Sequence, residues 1–312
     1  MTPRIVALLA CAGCASAFAP LASAADAAPT LITLKAPGSL PEGVEYDTKN
    51  KRFLVGSLSE GTVYTVANDG TRTPFVQDPD LKSSVGIEVD EERNRLLVAN
   101  SDAAVFRGQS AGQAKLGIYD LTSGKRIAMV DLASAGPQDA KSHFANDVTV
   151  GNDGSAYVTN SMARVVYKVD PKNSVSVILP NTFGAGQVML NGIVFHPSGY
   201  LLVAESTAGD IYKVPLSSPG SFTKVKLPEA VTGADGILLH PDGCLVVVRN
   251  DASRSVVALK STDEWATAKV EARGQFGAQG TTAAVKDNGV YVVQPFFADA
   301  KANPVIEHVH LK

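Results

Sequence analysis

A single phrase recurs six times along this chain: a polar residue, then glycine or a small substitute, an apolar alternating strand, a tight polar turn and a second strand. The copies open at Glu42-Gly43, Val85-Gly86, Asn146-Asp147, Asn191-Gly192, Asp235-Gly236 and Gln279-Gly280. Between the second residues of successive pairs the intervals are 43, 61, 45, 44 and 44 residues, the spacing of propeller blades or another repeat array. Each copy reads as a hairpin. Residues 86–90 and 95–99 are rich in β-branched and apolar side chains, and Glu91, Glu92, Arg93 and Asn94 between them are turn chemistry. Later turns end in Gly154, Gly199, Gly243 and Gly289, where glycine offers the positive φ of a tight hairpin.

Two more strands follow in each unit, for example 116–120 and 127–131. Four antiparallel strands per unit and six units predict an all-β, six-bladed β-propeller, because such a sheet buries both faces only when neighbouring blades stack around an axis. A parallel β-helix has shorter coils, and a sandwich does not repeat one phrase six times. The last unit runs out after three strands, at 281–286, 290–294 and 306–310. Its fourth strand is expected from residues 31–35, so that the N-terminal strand closes the last blade and covers an open sheet edge.

Residues 1–24 carry one cation, Arg4, then an apolar run and the small-residue exit Ala22-Ser23-Ala24. This reads as a cleavable signal peptide rather than a membrane span, and it predicts a periplasmic or secreted protein. Cleavage near Ala24 removes Cys11 and Cys14 and leaves Cys244 without an internal disulfide partner. Residues 25–30 read as a short disordered lead, and 31–312 as a single propeller domain. Charge is nearly balanced, 28 Lys and Arg against 31 Asp and Glu, with no basic run long enough for nucleic acid or an anionic membrane. The expected partner is a small molecule, and the expected state a monomer without membrane insertion.

Innermost strands of a propeller start around one mouth of the central channel, so the residues opening the phrases form a ring: Glu42, Val85, Asn146, Asn191, Asp235 and Gln279. Two carboxylates and two amides place four hard oxygens there. Such a set suits Ca2+ first, then Mg2+ or Mn2+, whereas Zn2+ prefers His or Cys.

The segments Phe144-Ala145-Asn146-Asp147-Val148, Leu190-Asn191-Gly192-Ile193 and Ala234-Asp235-Gly236-Ile237, with Pro41-Glu42-Gly43 early in the chain, resemble the signature of the senescence-marker-protein/gluconolactonase family. That family includes regucalcin and is similar to diisopropyl fluorophosphatase and the paraoxonases. The resemblance spans essentially the whole chain after the leader. It implies a divalent cation in the channel and hydrolysis of lactones or organophosphate esters. It also implies that Glu42, Asn191 and Asp235 are metal ligands, that Asn146 is a fourth ligand or a substrate-binding neighbour with a catalytic part, and that Asp235 is the general base or nucleophile.

The chain departs from the pattern in two places. Sugar-lactonase relatives carry a basic residue where this chain has Phe144, which shifts the expected substrate toward a less polar lactone or ester. Paraoxonases carry a His where this chain has Val85. His143 is a candidate replacement acid or base, or a solvated loop residue. Second strands run back to the same mouth, so their ends are expected to form a polar collar: Asn100-Ser101, Asn160-Ser161, Glu205-Ser206, Asn250-Asp251 and Gln294. From these and the motif neighbours, His143, Phe144, Asp147, Asn160 and Glu205 are the expected substrate-binding residues. The long second interval marks an insertion around 103–114 and 133–144, rich in Gly, Gln and Ala, expected to be a flap over the pocket.

The leading reading is thus a metal-dependent lactonase or esterase with a possible phosphotriesterase side activity. A noncatalytic propeller with the metal as a plug, or a strictosidine-synthase-like lyase, are the alternatives. A lyase of that kind needs a lone glutamate rather than an oxygen cage.

Overall fold

The computed structural model describes residues 30–180, 189–299 and 301–312. The leader at 1–24 and the lead at 25–30, apart from Thr30, lie outside the described residues. The rest forms six antiparallel sheets, one per repeat, arranged as a six-bladed β-propeller. Blade 1 is Pro41–Asp47, Arg52–Ser57, Thr62–Val66 and Arg72–Gln77, in that order from the axis outward. The innermost strands of blades 2 to 6 are Ser83–Asp90, His143–Val150, Leu190–His196, Ala234–Leu239 and Ala283–Lys286. Each packs against the innermost strand of the next blade, and Ala283–Lys286 returns to Pro41–Asp47 to complete the ring.

The closing strand is where the repeat count places it. Leu31–Thr33 pairs antiparallel with Val305–Val309, with Leu31 opposite Glu307 and Thr33 opposite Val305. Ile32 from this strand is 1% exposed, in a cluster that also holds Val44 and Phe53 of blade 1 and Tyr291 of blade 6. Burying one such side chain stabilises by about 1.5–3 kcal/mol. The other core clusters are likewise shared between neighbouring blades, as with Leu97 of blade 2 and Val158 of blade 3. Side chains alternate along each strand, so each sheet gives one face to either neighbour.

Glycine after the ring residue serves close approach, not positive φ. A Cβ on Gly43 would lie 2.3 Å from the Val85 carbonyl, and one on Gly192 would lie 2.4 Å from the Asp235 carbonyl. Blade 3 has Asp147 in this slot. Its carboxylate spans the gap that a bare backbone contact fills elsewhere, accepting from the Ile193 N–H of blade 4 at 3.0 Å and from Val148 N–H at 2.9 Å.

The same contact shows that the blade 6 phrase is set two residues late. Gly236 N–H donates to the carbonyl of Thr281 at 2.8 Å, and a Cβ on Gly236 would meet Thr282. Thr281, not Gln279, therefore occupies the sixth ring position. A slip of two residues keeps every side chain on the same face, so alternation alone does not reveal it. Positive φ in the last hairpin also moves: it falls on Asp287 at 51° and Asn288 at 61° rather than on Gly289, whereas Gly154, Gly199 and Gly243 carry it in theirs.

Candidate active site at the mouth of the channel

The inner strands begin at one mouth, and a cavity of about 620 Å³ opens there. Glu42, Asn146, Asn191 and Asp235 all line it, from blades 1, 3, 4 and 5. All four are at least nine-tenths buried, so their polar atoms face the cavity or one another rather than bulk water.

Their orientation is fixed from behind by a relay of short polar side chains. Asn146 Nδ2 donates to Ser161 Oγ at 3.0 Å, and Ser161 in turn donates to the Leu190 carbonyl at 2.6 Å. Asn191 Nδ2 donates to Ser206 Oγ at 3.2 Å, and Ser206 to the Ala234 carbonyl at 2.5 Å. Each serine thus grips the ring side chain of its own blade and the backbone just before the ring residue of the next. In blade 5, Asn250 Nδ2 donates to Asp235 Oδ2 at 2.5 Å, and Gln279 Nε2 donates to Asn250 Oδ1. With its nitrogen committed to Ser206, Asn191 leaves Oδ1 buried without a hydrogen-bond partner among the described residues. An orphaned buried oxygen costs about 1–3 kcal/mol unless a guest satisfies it.

Electrostatics point the same way. Burial, then the nearby Asp235 and Asp147 charges, pushes the Glu42 carboxyl well above the usual range. Burial pushes Asp235 up to about 7, against the opposing hydrogen bonds of Asn250 and Asn191. Two buried carboxyls and an unpaired amide oxygen gathered on one cavity fit a hard, oxygen-preferring cation. Among the described residues no group of three or more His, Cys, Asp or Glu side chains is placed to hold a metal. The donors here are two carboxylates and two carboxamides.

Of the remaining sequence-predicted residues, Phe144 lines the cavity and is 3% exposed. His143, Asp147, Asn160 and Glu205 are not among the lining residues. Asn160 is a brace: its Oδ1 accepts from Phe144 and Ala163 N–H, both at 3.0 Å, and its Nδ2 meets His143 Nδ1 at 3.1 Å. Glu205 caps its own strand end, accepting from the Met189, Thr207 and Ala208 N–H groups. The collar therefore has two layers. Residues ending the ladder hold backbone, and residues one position later, Ser161, Ser206 and Asn250, hold the ring. Strand alternation is the signal that separates them.

Asp147 faces a narrower space further along the axis, about 50 Å³, shared with Glu45 and Glu88. Burial raises Asp147 to about 7 and Glu45 to about 8, and raises Glu88 well above the usual range with added repulsion from Glu45 and Asp147. Folded-state values above unfolded ones mean that the protonated acids stabilise the fold at low pH, and that this contribution is lost as pH rises through about 8. In chelator, the melting temperature is expected to fall between pH 5 and 8.5, and Glu45→Gln to flatten the fall. A melting temperature that climbs over that range contradicts this account.

Comparison with known proteins agrees with the fold. A search of curated proteins finds no match. The major allergen Mala s 1 of Malassezia sympodialis superposes with a TM-score of 0.77 at 19% identity, over 91% of this chain and 97% of its own. A gluconolactonase from Xanthomonas campestris gives 0.62 at 14% identity, over 93% and 94%. The calcium-binding protein regucalcin from Agrobacterium tumefaciens gives 0.64 at 16%, over 91% and 95%. At these identities the superpositions speak for the fold. The sequence profile of the SMP-30/Gluconolactonase/LRE-like region matches residues 40–273, from the first ring strand to the outer strand of blade 5. The chain belongs to the SMP-30/gluconolactonase/LRE-like family.

Proposed function

We propose that this protein is a divalent-cation-dependent hydrolase of lactones or esters, with Glu42, Asn146, Asn191 and Asp235 holding the cation. The observation that carries the reading is the unpartnered Asn191 Oδ1 beside two buried carboxyls on one cavity wall. Family membership and the calcium-binding regucalcin fold support Ca2+ as the first ion to test. When bound, the cation polarises a substrate carbonyl and lowers the pKa of water.

The chain's own groups do the rest. Asp235, a buried carboxylate on the cavity, takes the proton from the attacking water. Asn250 holds one of its oxygens at 2.5 Å and so aims the other. Asn146 and Asn191 each give one N–H to a serine, which fixes the amide plane and leaves the Asn191 oxygen free for the site. Burial of all four donors and their hydrogen bonds from behind make this shell rigid, which is what positioning a substrate demands.

We place the reaction in the periplasm or outside the cell on the strength of the leader alone. The deciding assay is a lactone and aryl-ester panel with added Ca2+, Mg2+ or Mn2+ against excess chelator. Turnover that needs the cation supports the proposal. Indifference of any turnover to chelator, or no turnover with any ion, overturns it in favour of a noncatalytic propeller or a metal-free lyase.

A further inference from the structure

We propose that the non-reacting arm of the substrate is apolar, an alkyl chain or aryl ring held in the cavity that Phe106, Phe144 and Phe297 line. The word substrate rests on the hydrolase reading, but the apolar lining does not. Among the described residues the exposed large hydrophobics are Leu31, Phe106, Ile127 and Phe297. Two of these four, Phe106 at 54% exposure and Phe297 at 38%, line the one cavity that holds the ring residues. Exposed apolar surface gathered at a pocket marks a contact waiting to be covered.

Phe106 is held out by construction. It sits on a 3-10 turn, Ala103–Arg107, in the blade 2 insertion. Asp102 caps the turn by accepting from Ala104 N–H at 3.0 Å, and Gly108 closes it at φ 65°. Beyond the turn, Gly112–Gln113 runs parallel to the start of the blade 3 inner strand, pairing with His143 and Phe144 as a fifth strand. Gln113 Nε2 is anchored on Asn100 Oδ1 at 2.8 Å, and Ser101 donates to the Gln113 carbonyl at 2.9 Å. The ring of Phe106 meets Phe144 edge-on, with centroids 4.7 Å apart. The insertion is thus a braced arm that offers an aromatic face, and burial inward would break its caps.

The cavity's hydroxyls are spent on backbone, and its two cations, Lys82 and Arg107, lie toward the exposed side, Arg107 Nε donating to Gln109 at 2.9 Å. Ser59, Ser83 and Thr281 hydroxyls donate to the backbone carbonyls of Ser39, Leu58 and Glu42. Lys82 pairs with Asp102 at 3.4 Å. Among the described residues a sugar lactone finds no free hydroxyl there, only the reach of Lys82 and Arg107, whereas Leu40, Leu58 and Met189 extend the apolar lining. A cavity of about 620 Å³ has room for a medium alkyl chain or an aryl ring.

The test is a series of γ-lactones from γ-butyrolactone to γ-decalactone, with gluconolactone alongside, at saturating Ca2+. Catalytic efficiency is expected to rise about twofold to fourfold per added methylene, with γ-decalactone exceeding gluconolactone. Phe106→Ser should lower the decalactone-to-butyrolactone ratio about tenfold, and Phe106→Leu should keep most of it. A flat series, or gluconolactone preferred, overturns the apolar arm while leaving the hydrolase reading intact. Binding of γ-decalactone, read in parallel as a rise in melting temperature, separates the two claims. A rise that Phe106→Ser removes, without turnover of any lactone or aryl ester, keeps the apolar lining and overturns the hydrolase. No rise and no turnover overturns both.

Discussion

Asp235→Asn is expected to leave the propeller folded and to lower kcat/KM by on the order of a thousandfold. The substitution keeps volume and an oxygen for the site but removes the proton acceptor, a loss of about a hundredfold to ten-thousandfold for a positioned general base. It also removes one of the two negative charges among the four proposed donors, so affinity for the cation falls and the assay must run at saturating ion. Stability in chelator is expected to hold or rise, because a buried carboxyl raised to about 7 is replaced by a neutral group. Asn250→Ala probes the same atom indirectly. It removes the 2.5 Å hydrogen bond to Asp235 Oδ2, worth about 1.5–3 kcal/mol for a charged acceptor, and is expected to lower kcat by roughly tenfold to a hundredfold with KM little changed. Wild-type turnover by Asp235→Asn at saturating cation would refute the assigned role.

Addition of Ca2+ to chelated protein is expected to raise the melting temperature by about 5 °C or more. The four donors come from four blades, and an unfolded chain cannot gather them, so the ion binds the native state almost alone. At a hundredfold excess over its dissociation constant such a ligand adds about 2.7 kcal/mol. For a protein of this size each kcal/mol moves the midpoint by roughly 2–4 °C. The stabilisation should vanish in a Glu42→Gln, Asp235→Asn double substitution, which strips both charges. Superimposable melting curves with Ca2+ and with chelator would remove the cation from the site.

Much of this was legible in the sequence because a propeller writes its architecture as a repeat. Five ring positions fell where the phrase put them, since Gly43, Gly86, Gly192 and Gly236 are demanded by the close approach of inner strands and so mark the register. The sixth misled because Thr281-Thr282 carries no glycine, while Gln279-Gly280 two residues earlier imitates the phrase. The collar was legible as a place and not as a layer. Asn160 and Glu205 look as polar as Ser161 and Ser206, and only the strand end, fixed by Ala145 opposite Asn160 and Leu190 opposite Glu205, tells which side chain turns to the axis. Phe106 left no signal at all. One aromatic in an aperiodic insertion has nothing to be in phase with, and its exposure is a property of the two caps around it.

The closing strand reaches beyond its own blade. Leu31 and Glu307 are paired although nearly the whole described chain separates them, and contacts between such distant segments form late and slowly. Glu42 stands in the first strand after that seam, packed against blade 6 through the Thr281 hydroxyl on its carbonyl. The inner strand of Glu42 packs on blade 2 on one side and on blade 6 on the other, so the seam supplies its second support. A chain that stops short of Val305–Val309 already carries all four donors, yet it lacks the strand on which Leu31–Thr33 closes, so the ring that holds them stays open at its seam.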